Sequence, residues 1–268
     1  MTKYIAIAKR FAVALMAALP IAGTAQATAL LDVSEIGSYS QIYQLNIPSA
    51  VDYDGGSPAY GVDNSGTPIA GGINRIAYYL ELQQGAGARQ WVWASMDAFT
   101  QNLGQIGVPV IGTGAVWQQI VGNMNVESNV GGITTGTGIA TGNIEFWHQC
   151  YLESNEIGIP GASNSVYDTG DDNNHANSCY GSMQVHNYGL SQTLFAWNGW
   201  DTPNHNDLGI GNNPGTHPDW TFENNASTYT LKSLEVWVQA VPEPATLTLF
   251  GLGLLGLGAA RRHRGLAT

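Results

Sequence analysis

The chain has 268 residues, 44% of them hydrophobic and only 11% charged, with a formal net charge of −11. Between residues 28 and 240 just three basic residues (Arg75, Arg89 and Lys232) stand against 19 acidic ones, so that interval alone carries −16. Nucleic acid is excluded as a partner and anionic lipid is repelled, whereas divalent cations and neutral sugars suit such a surface.

The elements begin with a leader. Lys3, Lys9 and Arg10 precede an apolar run over residues 11–22, and Ala25-Gln26-Ala27 supplies a small-x-small cleavage sequence. That order predicts a secretory signal peptide over residues 1–27, handled by the secretion translocon, with a mature chain starting near Thr28. A buried N-terminal helix is the competing reading, and the flanking charges count against it.

Residues 28–240 form the body, long enough for one substantial domain. Residues 75–82 alternate, placing Ile76, Tyr78, Leu80 and Leu82 on one face of a strand. The Gly-rich "QQGAGARQ" then turns the chain into a partner strand over 91–96, as in a hairpin. Further strands are expected at 124–130, 142–148, 182–187, 193–197 and 229–238. The segment "AVWQQIVGNM" is the one place where a short helix fits. Turns fall on "VGGITTGTG", "IGIPGAS" and "GNNPG", where Gly, Pro and Asn allow reversals. Many short strands without intervening helices predict an all-β fold, an antiparallel sandwich or jelly roll in a single domain. The loop-rich stretches 50–72 and 153–181 belong at an end or edge of it.

Cys150 and Cys179 are the only cysteines. In an oxidising compartment they read as one disulfide, which closes a loop of about 30 residues and contributes roughly 3–4 kcal/mol in the chain-entropy model. Two free thiols are the alternative. "YDTGDDNNH" offers Asp168, Asp171, Asp172, Asn173 and Asn174 as hard oxygen ligands for calcium, and "DYDGG" offers Asp52 and Asp54. Neither has EF-hand spacing, and the same residues also make plain turns. His148, His175, His186, His205 and His217 are too scattered for a zinc motif. No GxSxG elbow exists, and Asp172 with His175 makes a poor half of an esterase site. Glu145 with Glu153, Glu156 or Asp168 is the conceivable carboxylate pair for glycoside hydrolysis, set against plain surface charge.

Eight tryptophans lie in the body. Trp91 and Trp237 are assigned to the core. Trp200 and Trp220 stand in loop-like sequence beside Asp201, His205 and Asp219. An aromatic plate covers a sugar's apolar face while amides and carboxylates take its hydroxyls, so these five residues are the candidate polysaccharide contacts, with core packing as the other reading.

The last 28 residues, 241–268, carry Pro242-Glu243-Pro244, then 16 uncharged residues at 245–260, then Arg261, Arg262 and Arg264. The apolar run is slightly short of the ~20 residues of a comfortable span, and the arginines should hold its far end in the cytoplasm. This block resembles the PEP-CTERM sorting signal of Gram-negative bacteria. The resemblance implies a hydrophobic sorting helix and an exosortase as processing partner, with Pro242, Glu243, Pro244 and the arginines as substrate residues. A permanent single-span anchor is the alternative. The central body ("RIAYYLELQ", "WVWASMDAF", "YGSMQVHN", "DLGIGNNPGTHPDWTF") resembles a secreted β-rich module found with sialate O-acetylesterase-like proteins, and that likeness brings no catalytic residue with it. The expected protein is exported through the inner membrane to the cell surface or matrix. It is non-catalytic and suited to binding polysaccharide; a carbohydrate-active or esterase-associated enzyme or accessory module is the rival.

Overall fold

The computed structural model describes residues 32–49, 59–108, 117–147, 182–199, 206–213, 220 and 224–242. Twelve strands are described: β1 (Ser40–Asn46), β2 (Val62–Asp63), β3 (Ile73–Gln83), β4 (Gln90–Asp97), β5 (Trp117–Val121), β6 (Met124–Ser128), β7 (Gly136–Ile139), β8 (Gly142–Trp147), β9 (Ser182–Asn187), β10 (Gln192–Gly199), β11 (Asn206–Ile210) and β12 (Leu231–Ala240). Helical structure among the described residues is limited to four short 3-10 turns. The strands form two antiparallel sheets, one ordered β2-β1-β12-β3-β4-β6-β7 and the other β11-β10-β9-β8-β5. The expected all-β sandwich is therefore the fold.

Alternation explains the packing. Ile76, Tyr78, Leu80 and Leu82 project from β3 into the space between the sheets, where they meet Ile144, Phe146, Val185 and Phe195 from the other layer. Tyr78 sits at the centre, edge-on to Phe146 at 5.0 Å and tilted against Phe195 at 6.2 Å, a geometry that favours ring quadrupoles. Its hydroxyl donates to the carbonyl of Ile106 at 3.0 Å, so the phenol is buried without a polar penalty. Each such aliphatic side chain contributes about 1.5–3 kcal/mol by leaving water.

The opposite face of β3 differs from a plain alternation, which would leave it wet. Ala77 and Tyr79 join Val33, Tyr39, Trp91 and Trp93 in a second apolar cluster, with Ile36 and Trp237 packed at its margin. Trp91 is core as expected and Trp237 is half-buried, but both lie on the outside of the larger sheet rather than between the layers. Glu35 fastens the covering segment: its carboxylate accepts from Trp93 Nε1 at 2.7 Å, Ser95 Oγ at 2.5 Å and Asn125 Nδ2 at 3.1 Å.

The expected hairpin of β3 and β4 forms, with Leu82 opposite Gln90 and Arg75 opposite Asp97. One expectation is corrected. "AVWQQIVGNM" holds no helix in its described part, because Trp117–Val121 is an edge strand paired with β8. The pattern there has period two, with Ile120 exposed at 51% and Val121 buried at 3%. Asn123, at φ 51°, then turns the chain into β6. The described part of 50–72 lies at an edge as expected, with β2 adding two residues outside β1. The stretch 153–181, like the leader, lies outside the described residues.

Candidate functional site

Two places are candidates for function. The first is the start of the sorting block. β12 is an interior strand, hydrogen-bonded to β1 on one side and β3 on the other, and its last residue is Ala240. The pairing runs one residue further, because Val241 N–H donates to the Gly72 carbonyl at 2.9 Å. Gly71 stands beside it at φ 76°, and a Cβ there would lie 3.1 Å from the Val241 carbonyl, so a glycine suits this approach. Pro242, exposed, follows with no intervening linker. Glu243, Pro244, Arg261, Arg262 and Arg264 lie outside the described residues.

The second place is the outer face of the five-stranded sheet. Its strands alternate apolar and polar, and the polar set points away from the shared core: Asn143 and Glu145 on β8, Gln184 and His186 on β9, Asn198 on β10, Asp207 on β11. All six are fully buried. Burial of so many polar groups is costly unless they are hydrogen-bonded, and four of them are bonded to one another in a chain. Asn143 Nδ2 faces His186 Nδ1 at 3.2 Å, His186 Nε2 faces Gln184 Oε1 at 2.9 Å, and Gln184 Nε2 donates to Asn198 Oδ1 at 3.0 Å. An amide N–H can only donate, so the chain is consistent with a neutral imidazole protonated on Nε2. Asp207 accepts from the backbone N–H of Asn224. Sequence reading weighed His186 only as a possible metal ligand and passed over Gln184, Asn198 and Asp207. The available signal was their period-two spacing against Ile144, Phe146, Met183 and Val185.

Trp220 reaches the same face. It is half-buried at φ 68°, and its indole lies so close to Gly209 that a Cβ on that glycine would sit 1.9 Å from Cε2. Its Nε1–H donates to the Gly211 carbonyl at 2.7 Å. That donor is occupied within the protein. Trp200, Asp201, His205 and Asp219 lie outside the described residues, as do Asp52, Asp54, the calcium candidates Asp168, Asp171, Asp172, Asn173 and Asn174, and the pair Cys150 and Cys179. Of the carboxylates that could pair for glycoside hydrolysis, Glu145 is buried in the polar row, and its candidate mates Glu153, Glu156 and Asp168 fall outside the described residues. Asp207 cannot replace them, because it stands three strands away, about 14 Å at ordinary strand spacing, beyond the reach of a catalytic pair. Among the described residues no three His, Cys, Asp or Glu side chains converge to hold a metal.

A further acid pair sits on the outside of the larger sheet. Glu81 bonds Arg89 at 3.0 Å. Glu235 accepts from Gln41 Nε2 at 2.6 Å and Trp237 Nε1 at 3.1 Å. Burial pushes the Glu235 carboxyl up to about 7 against those two hydrogen bonds, and the nearby Glu81 adds to the rise. Tyr79, between them, is pushed well above the usual phenol range by burial and by both carboxylates.

A sandwich whose interior strand passes directly into a tripeptide, an apolar run and a basic tail has the organisation of an exported, sorted protein. Residues 240–262 match the PEP-CTERM protein-sorting motif, starting on the last residue of β12. That motif marks export in bacteria, sorting at the membrane or surface, and processing by an exosortase. No curated protein and no solved structure matches the chain, and the likeness of the body to a sialate O-acetylesterase-associated module gains no support from these comparisons.

Proposed function

We propose that the chain is a non-catalytic, surface- or matrix-destined protein of a Gram-negative bacterium, cut at Pro242-Glu243-Pro244 by an exosortase after passing the inner membrane. The observation that supports this most directly is the continuity of β12 with the matched motif: the folded body and the label are joined without a spacer. Mass spectrometry of the protein isolated from its host tests it. The expected mature C-terminus lies within or next to the tripeptide, and a chain still ending at Thr268 refutes processing.

The body, in this reading, binds neutral polysaccharide through Trp220, with Trp200, Asp201, His205 and Asp219. The strong negative charge favours a ligand that carries none, and the half-buried Trp220 offers the aromatic surface for a sugar's apolar face. Affinity electrophoresis through polysaccharide gels tests the idea. Retardation that survives both Trp200→Ala and Trp220→Ala, or that is absent for every gel, refutes it. Calcium on the 168–174 stretch and a disulfide between Cys150 and Cys179 belong to the same proposal. Chelator should lower the melting temperature, and thiol titration of the exported protein should find none.

A further inference from the structure

We propose that the end of the sandwich from which the sorting segment departs is a platform that rests on the phospholipid headgroup layer. The argument starts from reach. Val241 is held by Gly72, and the apolar run begins at Ala245, so only residues 242–244 separate the folded body from it. Three extended residues span at most about 11 Å. This end therefore stands within about one Debye length of the bilayer, where its charges would feel those of the lipid.

The segments gathered at this end lack such charge. Antiparallel pairing puts the start of β3, the end of β4 and the end of β12 side by side. The flanking stretches "NSGTPIAGGIN" (64–74), "AFTQNLGQIGV" (98–108) and "VWVQAVP" (236–242) contain no Asp, Glu, Lys or Arg, in a body of formal charge −16. The charges that adjoin these stretches in sequence include Asp63, whose carboxylate accepts from Ser65, and Asp97, paired with Arg75 at 3.2 Å. What the end offers instead is neutral: the exposed Thr67, Pro68, Gln101 and Asn102 bordering a shallow cleft of ≈ 250 Å³, with Val241 39% exposed beside Pro242. Hydroxyls and carboxamides can bond headgroup oxygens. A carboxylate at any of these positions would be repelled by anionic lipid.

The inference rests on the reading that residues 245–260 enter a bilayer, and the experiment separates the two. The full chain is reconstituted into protein-free vesicles of phosphatidylethanolamine and phosphatidylglycerol, beside a variant carrying a Gly/Ser spacer of about 20 residues between Pro242 and Glu243, which lifts the body by roughly 25 Å. Flotation reports membrane entry, and hydrogen exchange reports which end is covered. Both chains should float. Amides of 64–72 and 98–107 should exchange about tenfold more slowly without the spacer, while those of the opposite hairpin, 84–89, stay equal. A chain that does not float overturns both readings. Floating with equal exchange overturns the platform alone. Slowing that appears only when the processing enzyme is added makes that enzyme the occupant and overturns the lipid assignment. Thr67→Asp with Asn102→Asp keeps the acceptor for the Gly104 N–H. The pair should abolish the slowing on phosphatidylglycerol but not on phosphatidylcholine, and slowing unchanged on phosphatidylglycerol refutes the proposal.

Discussion

Glu235→Gln is the sharpest test of how this sandwich is held together. The carboxyl is 5% exposed on an interior strand, with Tyr79 across from it and Glu81 diagonal to it. Its pKa rises from 4.5 to about 7 in the folded chain, and burial is the main cause. A carboxyl with a raised folded pKa binds more protons folded than unfolded between those two values. Stability from this group is therefore greatest below about pH 4.5, falls as pH rises through the window, and levels off above about 7. A rise of that size corresponds to about 3 kcal/mol at 1.36 kcal/mol per pH unit. Glutamine has nearly the same shape, still accepts from Trp237 and Gln41, and never ionises. The variant should match wild type within about 1 kcal/mol at pH 5 and exceed it by about 3 kcal/mol at pH 8, or roughly 6–12 °C in Tm for a body of this size. The assay is urea unfolding of the exported protein and the variant at both pH values, read as the difference between them. If the difference is the same at pH 5 and pH 8, Glu235 is ionised at little cost in the fold and the reasoning fails.

Other outcomes follow from single contacts. Gly209→Ala should cost about 2–4 kcal/mol, because the new methyl overlaps the Trp220 ring; adding Trp220→Ala should recover part of that in a double-mutant cycle, and strictly additive losses would refute the contact. Glu35→Ala removes the acceptor of three hydrogen bonds, two of them to the buried Trp93 and Ser95, and should cost about 2–4 kcal/mol in denaturant unfolding, with enhanced proteolysis near residue 35. Tyr78→Phe strips the Ile106 carbonyl of its buried donor and should cost about 1–3 kcal/mol in denaturant unfolding, and an unchanged stability would refute the bond's role.

The class of fold was legible in the sequence because side-chain period follows backbone type. Ile76, Tyr78, Leu80 and Leu82 at spacing two can share one face only in a strand, and the Gly-rich turn before Arg89 can only reverse the chain. The sorting block was legible for a related reason: tripeptide, apolar length and basic tail act as linear chemistry and need no folding partner. The polar row was half legible. Asn143, Glu145, Gln184 and His186 alternate with core residues, which assigns them to the opposite face, yet nothing local says whether that face meets water or protein. The "AVWQQIVGNM" reading failed on the same ground, since a short apolar run is ambiguous until its partner strand is known.

Sequence alone determined the delivery address of this protein, its acidity and its construction from strands, because each depends on residue type and spacing along the chain. Only the tertiary structure decided that β12 comes home between β1 and β3, that Glu235 is buried beside Glu81, and that Trp220 lies on Gly209. Those are contacts between residues far apart in sequence, selected by the joint packing of two sheets, and no local pattern encodes which distant strand wins.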